Sequence, residues 1–208
     1  MERTASSRFV GLARISVAVV AVLVTVAATV TVVTPAPARA DTLGVEIVSG
    51  QTWGTYRADV MSASTEPMKG VFLWPDNASL SQEFDLLDSG NGFFRIRARH
   101  SGQCLMLDWR SGTYTNGTPV VQYPHCSAGY APGEWSSEWI WYPGNGCTGC
   151  LFDGRGWLRL VKNRATGMCL DTANPAGGSP GQGAVLQQWQ CITSSTQWNS
   201  WNQMWSFV

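Results

Sequence analysis

One internal repeat limits what this chain can fold into more than any other feature. Arg99, Gly102, Cys104, Leu105, Gly112, Val120, Gln122 and Cys126 return sixty-five positions later as Arg164, Gly167, Cys169, Leu170, Gly177, Val185, Gln187 and Cys191. Fixed-period self-similarity means one supersecondary unit stacked against copies of itself, because a unit this small cannot bury its own apolar face alone. A weaker third copy lies upstream: Arg57-Ala58-Asp59-Val60 stands where Cys169-Leu170-Asp171-Thr172 stands, and Phe72-Leu73-Trp74 where Gln187-Gln188-Trp189 stands. Each copy closes with an aromatic two residues after a polar one, in Gln82-Glu83-Phe84, Ser137-Glu138-Trp139 and Gln203-Met204-Trp205. Three copies ending alike predict a pseudo-threefold object.

The first forty residues stand outside that pattern. Arg3, Arg8 and Arg14 make a basic start, Ile15 to Val33 are almost wholly apolar, and Ala38-Arg39-Ala40 supplies a small-residue cleavage site before Asp41. Residues 1–40 therefore read as a secretory signal peptide and 41–208 as the mature domain, secreted and extracellular. The apolar run is nearly as long as a bilayer needs. The cleavage motif and the threonines in the run nonetheless favour removal, so no membrane insertion is expected after cleavage. The mature part is long enough for one domain that buries roughly 70% of its unfolded surface. Without residues 1–40 it carries 10 basic and 13 acidic side chains. That balance gives no basic patch for nucleic acid. Gly, Trp, Ser, Thr and Asn are abundant, and no helical apolar period outlasts a turn or two, so short strands joined by turns are expected.

Six cysteines in an exported chain allow fifteen pairings, and the repeat selects among them. Cys104 and Cys126, like Cys169 and Cys191, stand twenty-two residues apart at matching positions. Equivalent cysteines should make equivalent bonds, each worth roughly 3 kcal/mol in the chain-entropy picture. Cys147 and Cys150 remain, in a connection ten residues longer than its counterpart, and are expected to staple the loop 143–155 locally. A redox pair would need a helix N-terminus, and zinc two more ligands. Neither is in view, and no cofactor or metal is expected.

The residues Asn163-Arg164-Ala165-Thr166-Gly167-Met168-Cys169-Leu170-Asp171, then Gln187-Gln188-Trp189-Gln190-Cys191, then Asn202-Gln203-Met204-Trp205 resemble one repeat of a ricin-type β-trefoil lectin. The resemblance implies an all-β fold: a disulfide-stabilised β-trefoil of three imperfect repeats, about 41–90, 91–143 and 156–208, with twelve short strands. It puts the Q-x-W aromatics Phe84, Trp139 and Trp205 in a shared core. It also implies a carbohydrate site in the third repeat, with Asp171 accepting from sugar hydroxyls, Trp189 as platform, Asn202 as a further contact, and Gln187 and Gln203 flanking the carboxylate. Elementary chemistry supports these residue types. A pyranose has a face of C–H groups that suits an aromatic ring, and its hydroxyls make their stronger bonds to a charged acceptor.

The other copies depart from that set. The first keeps Asp59, Trp74 and Gln82 as a possible second carbohydrate site, with Phe72 for Gln and Ser81 for Asn. In the middle copy Met106 replaces the Asp, Pro124 the platform and Ser136-Ser137 the Asn-Gln pair, so no site is expected there unless Asp108 and Trp109 form a displaced one. The sequons at Asn77 and Asn116 carry meaning only in a glycosylating host.

The functional expectation is a secreted, monomeric lectin, recognising glycans or polysaccharides mainly through the third repeat, and not an enzyme. Gly177-Gly178-Ser179-Pro180-Gly181 matches a nucleophile elbow in letters alone, because Pro180 follows the serine and both histidines, His100 and His125, precede it. The alternative is a β-trefoil protein-binding or inhibitor module, favoured by the long middle connection with Trp135, Trp139, Trp141 and the Cys147–Cys150 pair, since exposed aromatics make binding hot spots.

Overall fold

The computed structural model describes residues 41–52, 54–124, 126, 135–142, 151–152, 157–173, 180–192 and 198–208. All lie in one compact unit, Ala36–Val208. The segment 1–40, the Cys147 and Cys150 pair, and Ser179 of the elbow-like motif lie outside the described residues.

Strand alternation builds a barrel. In β4 (Glu83–Gly90) and β5 (Phe93–Ala98), Phe84, Leu86, Phe94, Ile96 and Ala98 turn inward. Asp85 and Arg97 face each other across the ladder and pair at 2.8 Å, the cross-strand arrangement that stabilises a sheet. β1 (Thr42–Ser49) pairs with β4 and with β14 (Trp205–Phe207). β5 pairs with β8 (Glu138–Tyr142), and β8 with β11 (Leu160–Asn163). A bridge between Arg159 and Trp205 brings the chain just before β11 back to β14 and closes the ring. Closure removes the exposed sheet edges that would otherwise invite aggregation.

Three hairpins cap the barrel: β2 (Tyr56–Val60) with β3 (Val71–Pro75), β6 (Cys104–Leu107) with β7 (Val120–Tyr123), and β12 (Cys169–Thr172) with β13 (Leu186–Trp189). Bridges Gly70–Val121, Phe72–Val185 and Pro119–Gln187 link each hairpin to the next. The twelve strands of this sheet are the number the trefoil resemblance implied. A separate two-stranded ribbon, β9 (Leu151–Phe152) with β10 (Trp157–Leu158), lies in the lengthened connection.

The core repeats as the sequence does. Trp139 Nε1 donates to the Leu105 carbonyl at 3.2 Å and Trp205 Nε1 to the Leu170 carbonyl at 3.0 Å. Phe84 fills the third position without a donor, and all three aromatics are fully buried. The seams between repeats match too, with Gly50, Arg99 and Arg164 N–H groups donating to the carbonyls of Met204, Glu83 and Glu138. Disulfides Cys104–Cys126 and Cys169–Cys191 pair as expected, with Cα–Cα separations of 5.3 and 5.0 Å.

The constant offset of sixty-five fails in one place. Leu105 pairs with Gln122, whereas Leu170 pairs with Gln188. The third hairpin turn is one residue longer, and the chain recovers the offset before the second cysteine. Gln122 therefore corresponds to Gln188 rather than to Gln187. Both are buried glutamines that accept from a hydroxyl, Ser101 or Thr166, and donate to carbonyls of the preceding hairpin's turn. The same shift puts Tyr123, not Pro124, at the platform position of the middle copy, because Tyr123 faces Cys104 as Trp189 faces Cys169.

Candidate functional site

Strand β12 presents Asp171 directly across from Gln187 on β13, and the turn before β14 brings in Asn202 and Gln203. Three side-chain amides converge on the carboxylate. Gln187 Nε2 donates to Oδ1 at 2.8 Å, Asn202 Nδ2 to Oδ2 at 2.7 Å and Gln203 Nε2 to Oδ2 at 3.0 Å. Gln203 is held in turn, donating to the Gln190 carbonyl at 3.0 Å while its Oε1 accepts from the Ile192 N–H at 2.9 Å. Asp171 is only 1% exposed. Burial pushes its pKa up to about 6, against the opposing effect of the Gln187 and Gln203 hydrogen bonds, which favour the ionised form.

A carboxylate offers about four lone-pair sites, so three amides leave room for one more donor. Asn202 Oδ1 is buried with no hydrogen-bond partner, an acceptor of the kind that needs explaining in a folded protein. Trp189, two residues along the strand from Gln187 and thus on the same face, is 41% exposed. The set Asp171, Gln187, Asn202 and Gln203 is thus assembled by direct contact, with Trp189 beside it.

The first repeat builds the same core of this arrangement. Gln82 Nε2 donates to Asp59 Oδ2 at 2.9 Å and to the Pro75 carbonyl at 2.8 Å, and its Oε1 accepts from the Asn77 N–H at 3.1 Å. Those three bonds reproduce those of Gln203 one for one. Trp74 is exposed to the same 41% as Trp189. Phe72 stands across from Asp59 and cannot donate. Ser81 bonds to Ser79, so among the described residues Asp59 keeps a single amide donor, Gln82. A cavity of about 490 Å³ opens here, lined by Asp59, Trp74, Phe72, Met61 and Ala63, with Gly183 contributed by the third repeat. Its rim includes Ser62 and Ala63 at φ 57° and 48°, left-handed conformations that non-glycine residues adopt at a cost and that cluster at binding sites.

In the middle copy Met106 is buried where the Asp stands elsewhere. Asp108 is taken up by Arg110, whose guanidinium holds its carboxyl below the ordinary range. Trp109 packs edge-on against Tyr123 at 6.3 Å.

Sequence reasoning did not anticipate contacts between repeats at the sites. Asn116 of the second repeat accepts from the Gln190 N–H at 2.8 Å. A Cβ on Gly117 would lie 3.9 Å from the Trp189 ring. The turn residues at these places carry no sequence signal for the neighbour they touch.

Barrel, capping hairpins and three matching repeats define a β-trefoil. Residues 35–123 match the family model described as ricin-type beta-trefoil lectin domain-like, which spans the first repeat and the second as far as Tyr123. Among solved structures, the chain is similar to ThreeFoil, a designed threefold-symmetric protein, at 24% identity and TM-score 0.58, over 79% of this chain and 97% of that one. An exo-β-1,3-galactanase from Clostridium thermocellum aligns at 23% identity and TM-score 0.59 over 80% of this chain, which spans only 30% of that enzyme. A Macrolepiota procera ricin B-like lectin, solved with lactose, aligns at 17% identity and TM-score 0.53 over 79% of this chain and 93% of that one. No curated protein matches the chain.

Proposed function

We propose that this protein is a secreted, monomeric carbohydrate-binding protein without catalytic activity, recognising glycan or polysaccharide chains chiefly through Asp171, Gln187, Trp189, Asn202 and Gln203, with Asp59, Trp74 and Gln82 as a second site. One observation carries the reading: an amide-held aspartate beside a half-exposed tryptophan is built twice, by the same three hydrogen bonds, in two repeats. Packing alone does not call for a buried carboxylate or an exposed indole at either place. The lactose in the Macrolepiota procera complex is in keeping with this chemistry.

At roughly 0.3 kcal/mol per heavy atom, a monosaccharide of about a dozen heavy atoms binds at about millimolar. Two sites on one chain gain by effective concentration on a polymer, which favours polysaccharides and glycan-coated surfaces as targets.

The protein-binding alternative rested on Trp135, Trp139, Trp141 and the Cys147 and Cys150 pair, of which the two cysteines lie outside the described residues. Trp139 and Trp141 belong to the core rather than to an exposed loop, and only Trp135, 46% exposed, reaches the surface, packed over Arg164 at 4.4 Å. The deciding experiment is a glycan array followed by calorimetry on the purified protein beside Asp171→Ala. Binding lost with the fold intact supports the third-repeat site. Binding to no glycan at all overturns the lectin reading.

A further inference from the structure

We propose that the first-repeat cavity selects a sugar residue carrying a short acyl group, while the third-repeat site has no such preference. The inference rests on the carbohydrate reading above and asks what the first site takes that the third does not.

The two sites share a scaffold and differ at one decisive position. Where Gln187 faces Asp171 and donates to its Oδ1, Phe72 faces Asp59. Asp59 Oδ1 consequently has no donor among the described residues and faces the open cavity, where a ligand hydroxyl can supply one. The same exchange turns one wall apolar. The Phe72 ring lies close over Gly70, where a Cβ would come within 3.0 Å of it, so the ring is backed by the chain rather than free to swing into that space. Met61 and Ala63 continue the apolar wall, and both are exposed.

A cavity of about 490 Å³ is in the range of pockets that hold ligands larger than one sugar ring. A pyranose stacked on Trp74 with a hydroxyl on Asp59 leaves the side toward Phe72, Met61 and Ala63 unfilled. An unsubstituted hexose would turn hydroxyls to that wall and lose their water without replacement. An acyl group fits better: its methyl meets the apolar wall, and its carbonyl needs one donor. Asn77 lines the cavity and its Nδ2 makes no hydrogen bond among the described residues, whereas its Oδ1 is already engaged by the Ser79 N–H at 2.9 Å.

The test is calorimetric titration of the protein with methyl glycosides of glucose and galactose, their acetamido derivatives and their acetoxy derivatives. It is run on the unaltered protein, on Asp171→Ala to silence the third site, and on Asp171→Ala combined with Phe72→Gln. In Asp171→Ala the acylated sugars are expected to bind about fivefold tighter than the parent glycosides, the gain of burying one methyl group, and Phe72→Gln is expected to erase the difference. A preference confined to the acetamido series would assign the acyl group to amino sugars, and one shared with the acetoxy series to esterified ones. Either supports the proposal. Sugar binding that Asp59→Asn abolishes but that shows no acyl preference overturns the proposal and leaves the lectin reading standing. No binding of any of these sugars or of arrayed glycans to the unaltered protein overturns both. The ligand comparison on unaltered protein does not depend on any variant folding.

Discussion

Gln203 and Asp171 are joined by a 3.0 Å hydrogen bond from Nε2 to Oδ2, and the same nitrogen reaches the Gln190 carbonyl at 3.0 Å. One amide thus ties the carboxylate to the strand that carries Trp189. Replacing Gln203 with Ala would leave the Gln190 carbonyl and the Ile192 N–H without their partner and remove one of two donors from Asp171 Oδ2. Buried polar groups stranded in this way cost about 1–3 kcal/mol. Denaturant unfolding of Gln203→Ala should show a loss of that size, and calorimetry should show third-site sugar affinity falling at least about tenfold. A variant that keeps full affinity would mean the amide only supports the fold.

Asp171 should make stability and binding respond to pH in opposite directions. Its carboxyl holds its proton up to about pH 6 in the folded protein, against roughly 4 in the unfolded chain. Between those values the folded state binds more protons, so stability falls as pH rises from about 4 to about 6 and is level above that. Two pKa units correspond to about 3 kcal/mol at most. The difference in unfolding free energy between wild type and Asp171→Asn should therefore shift toward wild type as pH drops from 7 to 4. Sugar binding at this site needs the ionised acceptor and should weaken as pH falls through about 6. A stability difference independent of pH would show that the burial cost is not borne by the charge.

Trp189 separates site from scaffold. With 41% of its surface open, its truncation to Ala should cost less stability than truncation of a fully buried tryptophan, yet remove the face on which a sugar would stack. Thermal unfolding and glycan titration of Trp189→Ala should diverge, with the fold retained at modestly lower stability and sugar binding lost. Trp205→Ala, at a fully buried position, should instead cost about 3–5 kcal/mol.

The repeats made much of this legible, because the hydrogen bonds at Asp171 follow from residue types at fixed offsets. Asp, Gln, Asn and Gln fall together once the hairpin and the closing turn are assumed. The register slip between hairpins was hidden by coincidence. Gln122 has a glutamine at both candidate positions, 187 and 188, and only the ladder distinguishes them. Trp141 reads as a loop aromatic from its neighbours, but β8 runs through it and it packs on Phe94 and Phe207 at 5.1 and 4.5 Å. Gly183 at the first cavity and Asn116 at Gln190 meet partners about a hundred and about seventy residues away. No local pattern encodes such contacts.

Glu138 occupies a seam with no part in sugar chemistry. Its carboxylate, 1% exposed, pairs with Arg95 on one side and Arg164 on the other, and Arg164 lies against the rings of Phe93 and Trp135 at 4.6 and 4.4 Å. Removing the carboxylate leaves the guanidinium of Arg95 buried without its countercharge, a loss of about 3–5 kcal/mol. Glu138→Ala should unfold at markedly lower denaturant than wild type while the folded fraction binds sugar normally. Wild-type stability in that variant would mean water reaches Arg95 freely.

Two sites on one chain predict a response to polymers that differs from the response to monosaccharides. If Asp59 and Asp171 each anchor a sugar, the second contact on a polysaccharide is made at the effective concentration set by the first, and overall affinity can rise about a hundredfold or more without new contacts. Asp59→Ala and Asp171→Ala should each lower affinity for a bound polysaccharide by far more than they lower total monosaccharide capacity, and the double variant should release it. The single variants should also bind the polymer with indistinguishable kinetics at high and low surface density, because neither retains a second foothold within the chain. Polysaccharide affinity that survives Asp59→Ala unchanged would reduce the protein to one working site and assign any gain on a polymer to crowding of separate molecules on its surface.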